Sequence, residues 1–219
     1  MISTNRSEHL LKLAGPSGAL EAILTSAGPN PHPITAIVCH PHSLMGGTMN
    51  NKVVHTVSRA LRELGVQNLR FNFRGVGQSE GEYDEGVGET EDLFAVIDWV
   101  KKNYADHRLW LAGFSFGSFV AARASTLSAE RGHEIEQLLL IAPPVMRGYH
   151  FETLPHFPCP VTVLMGDADE VVPAEQVYQW FDTLPQPARL VKFPDTSHFF
   201  HGKLTDLKEN INRLYAERV

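Results

Sequence analysis

The chain is short of thiols, basic runs and long apolar segments, and each shortage removes a class of protein. Only two of its 219 residues are cysteine, Cys39 and Cys159. They lie far apart beside apolar or proline residues and form no CxxC pair, so neither a disulfide framework nor a thiolate metal ribbon is expected. Buried free thiols in a reducing compartment are expected instead. No apolar run approaches the roughly 18 residues of a membrane-spanning helix. The opening Met1-Ile2-Ser3-Thr4-Asn5-Arg6 also carries no apolar signal core. Together these features predict a cytoplasmic protein that does not engage a membrane. Lysine and arginine number 19 against 25 acidic residues, a net charge of −6. Without a basic run, binding to a nucleic-acid backbone is not expected. Internal repeats and low-complexity stretches are absent too.

What remains is an ordinary globular composition, 43% hydrophobic and 20% charged. One domain spanning residues 1–219 is predicted. A domain of that size buries roughly 70–75% of its unfolded surface and needs no metal or disulfide to fold.

Residues 9–14 and 19–25 flank the turn signal Gly15-Pro16-Ser17-Gly18 and predict a hairpin. The unbroken apolar run 34–39 predicts a strand buried on both faces. Val53, Val54, Val57, Ala60, Leu61 and Leu64 recur at helical spacing until Gly65 stops them. Strands are predicted at 68–73, 109–113, 138–141, 161–165 and 189–193. Helices are predicted at 89–104, 115–127, 175–184 and 204–215. Strand and helix alternate from residue 34 onward, which predicts a mostly parallel, doubly wound sheet behind an antiparallel N-terminal hairpin. Functional residues of such sheets gather where strands give way to loops.

The segment Gly113-Phe114-Ser115-Phe116-Gly117 joins a predicted strand to a predicted helix. A strained bend there lifts a serine hydroxyl clear of the sheet, and side chains two residues to either side would obstruct it. Ser115 is therefore the candidate nucleophile. It needs a base, and an imidazole base needs a carboxylate to orient it. After the strand at 161–165 stand Asp167 and Asp169. Asp167 follows Gly166 directly and suits a turn, whereas Asp169 lies deeper in the loop and is the preferred acid. After the strand at 189–193 stand His198 and His201. His198 comes first and is the preferred base, and His201 is expected to start the last helix.

A tetrahedral intermediate needs N–H donors aimed at its oxygen. The backbone N–H of Phe116 is one candidate. The loop His40-Pro41-His42-Ser43 supplies the other; Pro41 has no N–H, so His42 is preferred, with Ser43 as fallback. A metal held by His40 and His42 is disfavoured because no carboxylate follows at ligand spacing. Neither a metal nor a cofactor is expected.

These residues resemble the α/β-hydrolase superfamily from about residue 34 to the C-terminus. Arg74-Gly75-Val76-Gly77-Gln78-Ser79 is similar to its R-G-x-G-x-S segment. Asp169-Glu170-Val171-Val172-Pro173 is similar to its D-x-x-V-P acid loop, which strengthens the choice of Asp169. Together with His40-Pro41-His42 and Thr196-Ser197-His198, the pattern resembles a compact bacterial group related to the dienelactone-hydrolase and esterase branches. His40-Pro41-His42 departs from the H-G-x of many relatives at the oxyanion loop. The resemblance implies the α/β-hydrolase fold and a serine hydrolase working through Ser115, Asp169 and His198.

Relatives often insert a helical cap before the acid strand. Here only about 20 residues are available, interrupted by Pro143, Pro144, Pro155, Pro158 and Pro160, so an open site without a cap is predicted. Met146, Tyr149, Phe151 and His42 are candidates for its rim, or else for packing. An open site suggests small acyl esters, with thioesters and acyl-peptides as alternatives. A non-hydrolytic ligand receptor on the same frame is the rival of a different class.

Overall fold

A computed structural model describes residues 7–145, 148–154, 156–185 and 187–219. The Gly15–Gly18 turn closes the predicted hairpin of β1 (Glu8–Gly15) and β2 (Gly18–Thr25). Six further strands follow: β3 (Ile34–Cys39), β4 (Gln67–Phe71), β5 (Arg108–Phe114), β6 (Ile135–Ile141), β7 (Val161–Gly166) and β8 (Ala188–Phe193). They form one eight-stranded sheet in the order β1-β2-β4-β3-β5-β6-β7-β8. β1 and β2 run antiparallel to their neighbours, and β3 to β8 are mutually parallel. The predicted α/β-hydrolase sheet is thus observed.

The helices are α1 (Lys52–Glu63), α2 (Val87–Asn103), α3 (Phe116–Leu127), α4 (Ala174–Phe181) and α5 (Leu204–Tyr215). Trp110 of β5 packs its ring against Tyr215 of α5, while Gly113 of the same strand abuts the backbone of α3. Residues of opposite parity point to opposite faces of a strand, so α3 and α5 cover opposite faces. α1 packs on α5, and α2 packs on α3. Every residue of β3 is buried, as a strand sandwiched between two helical layers requires.

From β3 the chain winds first to β4 on one side and then across to β5 on the other. This reversal opens a crevice at the carboxyl ends of β3 and β5, where sheets of this kind place their ligands. His40 follows β3 and Ser115 follows β5, so both flank that crevice.

Several element limits differ from the sequence expectation for identifiable reasons. β4 ends at Phe71 rather than Phe73 because the pairing gives out after Asn72, which still reaches β2, and Phe73 turns its N–H to a side chain instead of a neighbouring strand. Asn72 donates to the Glu21 carbonyl, and Phe73 donates to the His40 ring. β6 begins three residues earlier, at Ile135, despite the polar Glu136 and Gln137. The Glu136 carboxylate accepts from Trp110 Nε1 and from Arg108, which satisfies it at the sheet margin. α2 begins at Val87 because the buried Glu89 carboxylate accepts from the N–H of Gly86 and of Asp84. α4 ends at Phe181 rather than residue 184, and His201 lies in a turn rather than at the start of α5.

Candidate active site

The turn after β5 is shaped by closeness rather than by glycine flexibility. Ser115 itself takes φ 52° and ψ −121°, a conformation costing a non-glycine residue about 1–3 kcal/mol. A Cβ on Gly113 would lie 2.1 Å from the Gly117 carbonyl oxygen. One on Gly117 would lie 2.5 Å from the carbonyl oxygens of Cys39 and His40. Only hydrogen fits at either position, so the two glycines let β5, α3 and the end of β3 converge. The bend is then locked. The Ser115 N–H donates to the Ile141 carbonyl at 2.8 Å, and Ser118 returns both its N–H and its hydroxyl to the Ser115 carbonyl.

The predicted partners meet there. His198 Nε2 lies 3.0 Å from Ser115 Oγ, and His198 Nδ1 lies 2.7 Å from Asp169 Oδ2. The second Asp169 oxygen accepts the N–H groups of Val171 and Val172 at 2.8 and 2.7 Å. This carboxylate can only accept, so Nδ1 carries the ring proton and Nε2 presents its lone pair to the serine hydroxyl. The imidazole is 3% exposed and the carboxylate 0%, so no water competes for their contact. Phe114 and Phe199 pack on the imidazole, each with centroids 5.1 Å away. Asp167 is exposed; its N–H donates to the Phe193 carbonyl, and it plays no part in the relay.

Glu170 is an addition that sequence reasoning missed. Its carboxylate accepts the backbone N–H of His198 at 3.1 Å. Consecutive acidic residues thus hold the histidine by ring and by main chain. No local pattern marks this contact, because it joins segments 28 residues apart.

The loop after β3 is held from beneath. His40 is fully buried, with Nδ1 2.6 Å from the Pro41 carbonyl and Nε2 accepting from the Phe73 N–H at 3.0 Å. Both ring nitrogens are engaged by main chain, and burial pushes its pKa down to about 4. His40 is therefore a neutral peg that joins this loop to the end of β4. Beyond it, the His42 carbonyl accepts from Met45 and Gly47 in a tight turn. The backbone N–H groups of His42 and Phe116 donate to no protein acceptor among the described residues. His42 and Phe116 line the cleft of about 490 Å³ that contains Ser115 and His198, and Ser43 does not.

Tyr149 lines the same cleft. Phe151 does not; it is 3% exposed, packs on Phe119 and Trp180, and borders a separate cleft of about 430 Å³. Met146 lies outside the described residues. Cys39 and Cys159 are buried free thiols, and burial pushes Cys159 up to about 12. Among the described residues, no group of three or more His, Cys, Asp or Glu is disposed to hold a metal, and no helix is long and apolar enough to cross a membrane.

A family model described as an alpha/beta hydrolase domain matches residues 36–216, the span that carries every residue of this site. The chain belongs to the alpha/beta hydrolase family. An α/β serine hydrolase without a lid from Xanthomonas campestris is 44% identical, with a TM-score of 0.89 over 98% of this chain and 96% of that one. An alpha-beta serine hydrolase homologue from Coxiella burnetii is also 44% identical, with a TM-score of 0.88 over 94% of this chain and 96% of its own. The uncharacterized protein RP471 of Rickettsia prowazekii is 37% identical over 90% of this chain and 84% of its own length. Among the described residues of this chain, no cap domain intervenes between β6 and β7. Among the described residues that connection carries only a 3₁₀ turn at Phe151–Thr153.

Proposed function

We propose that this hydrolase cleaves small acyl esters through an acyl-enzyme, with Ser115 as nucleophile, His198 as base and Asp169 as the orienting acid. The observation that carries this reading is the relay of 2.7 and 3.0 Å linking Asp169, His198 and Ser115 at the floor of an open cleft. His198 Nε2 takes the hydroxyl proton as Ser115 Oγ attacks the ester carbonyl. Charge then builds on the carbonyl oxygen. The unengaged N–H groups of Phe116 and His42 receive it, helped by the positive end of α3. The imidazolium, held by Asp169, protonates the departing alcohol. It next activates a water that releases the acid and restores the serine. No step calls for a metal or cofactor.

Met45 and Phe199 line the cleft and are 84% and 38% exposed. Apolar side chains standing at an uncapped mouth suit a short acyl or alkyl group that diffuses in freely. Thioesters and acyl-peptides are attacked by the same machinery and form the second reading. We read residues 1–219 as one catalytic domain whose partner is its small-molecule substrate. The two free thiols favour a cytoplasmic setting. A steady-state assay with p-nitrophenyl acetate and butyrate, set beside butanoyl-CoA and an acyl-peptide anilide, tests the assignment. We expect multiple turnovers, fastest on the esters and abolished in Ser115→Ala. Covalent labelling of Ser115 without turnover on any of these substrates would favour the receptor instead.

A further inference from the structure

The segment Arg74-Gly75-Val76-Gly77-Gln78-Ser79 lies outside the Ser115–His198–Asp169 relay, yet it encloses a polar contact that leads to the oxyanion loop. Glu21 of β2 and Asn72, just past β4, face each other across the two strands. The Asn72 N–H donates to the Glu21 carbonyl at 2.8 Å. The return bond runs through a hydroxyl: the Glu21 N–H donates to Ser79 Oγ at 2.9 Å, and Ser79 Oγ donates to the Asn72 carbonyl at 2.7 Å. Side chains opposite each other on neighbouring strands share a face. There Asn72 Nδ2 donates to Glu21 Oε2 at 2.7 Å, and the Gln78 N–H donates to the same oxygen at 2.9 Å. Gly77, at φ 59°, leaves room for this pair. A Cβ on it would lie 2.5 Å from Asn72 Nδ2 and 2.6 Å from Glu21 Oε2.

A carboxylate can only accept, so Asn72 turns Nδ2 toward Glu21 and Oδ1 away from it. That oxygen accepts the Met49 N–H at 2.8 Å. The Met49 carbonyl is held as well, by Arg70 Nη1 at 3.1 Å. Asn72 and Met49 are both buried, so the contact is made away from solvent. Met49 closes the loop that begins at His40. Two residues before it, the Gly47 N–H donates to the His42 carbonyl at 3.0 Å, and Gly47 abuts the Pro41 carbonyl oxygen. The Pro41 carbonyl and the His42 N–H belong to one planar peptide unit. Whatever anchors Gly47 therefore aims the His42 N–H.

We infer that Glu21 is a positioning residue for the hydrolysis: through Asn72 and Met49 it holds the oxyanion loop so that the His42 N–H meets the substrate oxygen in the transition state. The inference rests on the ester-hydrolase reading above, with His42 as a donor, and gives the N-terminal hairpin a part in catalysis. The reach of the Glu21 acceptor matters here, not its charge. Without that acceptor nothing fixes the Asn72 amide, and turning it over sets Nδ2 against the Met49 N–H, donor against donor. Losing an oxyanion donor outright costs about 10²–10³-fold in kcat. Loosening the loop costs less, because Arg70 still holds the Met49 carbonyl.

Three variants separate reach from charge. Glu21→Gln keeps an acceptor oxygen at full length without the charge. Glu21→Asp keeps the charge but draws the carboxylate back by about 1.5 Å. Glu21→Ala removes both. Steady-state kinetics on p-nitrophenyl butyrate, with working sites counted by fluorophosphonate titration, give kcat per folded site alongside KM. Inhibition by 1,1,1-trifluoropentan-2-one, whose adduct with Ser115 carries an oxyanion, reports on the same donors. We expect kcat to fall about tenfold in Glu21→Ala and about fivefold in Glu21→Asp, with KM within about twofold of wild type. The Ki of the ketone should rise by the factor lost from kcat/KM. Glu21→Gln should restore all three quantities to within about twofold of wild type. The contrast between Asp and Gln decides the matter even where Glu21→Ala does not fold. Glu21→Gln as slow as Glu21→Asp, or Glu21→Asp at the wild-type rate, overturns the inference and leaves the hydrolase reading intact. A rise in KM with kcat unchanged overturns it in the same way. A wild type that neither hydrolyses the ester nor takes up the ketone would instead overturn the ester-hydrolase reading, and this inference with it.

Discussion

Two buried histidines stand at the same end of the sheet and do opposite work. His40 follows β3, and both of its ring nitrogens are engaged by backbone groups of its own loop and of the end of β4. His198 follows β8, and its ring lies between a carboxylate and a hydroxyl. An imidazole whose lone pair and proton are both tied to main chain has nothing to offer a substrate, so it becomes scaffold. One whose proton is held by an anion and whose lone pair faces a hydroxyl is prepared for proton transfer. The geometry around His198 thus suits exchange, and that around His40 suits rigidity. Burial alone distinguishes neither.

The largest expected effect lies on the reactive side. Asp169→Asn leaves the shape of the loop but removes the anion that sets the His198 tautomer. Ester kcat should fall by roughly 10³–10⁴-fold, whereas Asp167→Asn should stay within about threefold. The opposite ranking in steady-state kinetics would reassign the acid.

On the scaffold side, the fold depends on His40 remaining neutral. Its pKa falls from 6.5 in the unfolded chain to about 4 when folded, so between those values the unfolded state binds more protons. The stability His40 contributes is fully present above pH 6.5 and is lost as pH drops through about 4. This loss amounts to roughly 3 kcal/mol. Denaturant melts at several pH values should show His40→Asn less stable at neutral pH but with a shallower acid decline. Parallel acid limbs in the two proteins would remove the scaffold role.

A smaller effect tests the oxyanion loop directly. A Cβ on Gly47 would sit 2.1 Å from the Pro41 carbonyl oxygen, forcing the His42 N–H to move. Gly47→Ala should lower kcat by about 10²-fold with KM little changed, the signature of a contact made only in the transition state. A KM effect with unchanged kcat would argue against His42 as donor. The mildest change is Glu170→Gln, which keeps an acceptor for the His198 N–H. It should cost only about two- to fivefold in kcat, and Glu170→Ala should cost several times more.

The contrast between the two histidines also explains what was legible in the sequence. The strands, the serine turn, Asp169 and His198 follow from local periodicity and chain order, because each belongs to one segment whose context is contiguous. The glycines flanking Ser115 were readable for the same reason, and the close contacts they relieve were found as expected. His40 was not readable as a peg, since its partner is Phe73, 33 residues away. The buried pairing of Arg74 with Asp92 is equally hidden, because the R-G-x-G-x-S resemblance marks the segment but not a partner 18 residues away. Its guanidinium fills the space beside Gly88, where a Cβ would lie 2.0 Å from Arg74 Nη1. Tyr149 is legible as a rim candidate from its place in the short connection before β7, but its packing on Phe116 and Phe119 depends on segments distant in the chain. The early start of β6 is not legible locally because Glu136 and Gln137 are polar, and it is β5 that satisfies the Glu136 carboxylate.

The central claim is that Ser115 is made nucleophilic by the His198–Asp169 pair. Treatment with a fluorophosphonate followed by intact-mass and peptide mapping measures this most directly. The account predicts one adduct per chain, on the peptide containing Ser115, forming orders of magnitude more slowly in His198→Ala. An unmodified wild-type protein, or an adduct on another residue that persists in Ser115→Ala, would contradict it.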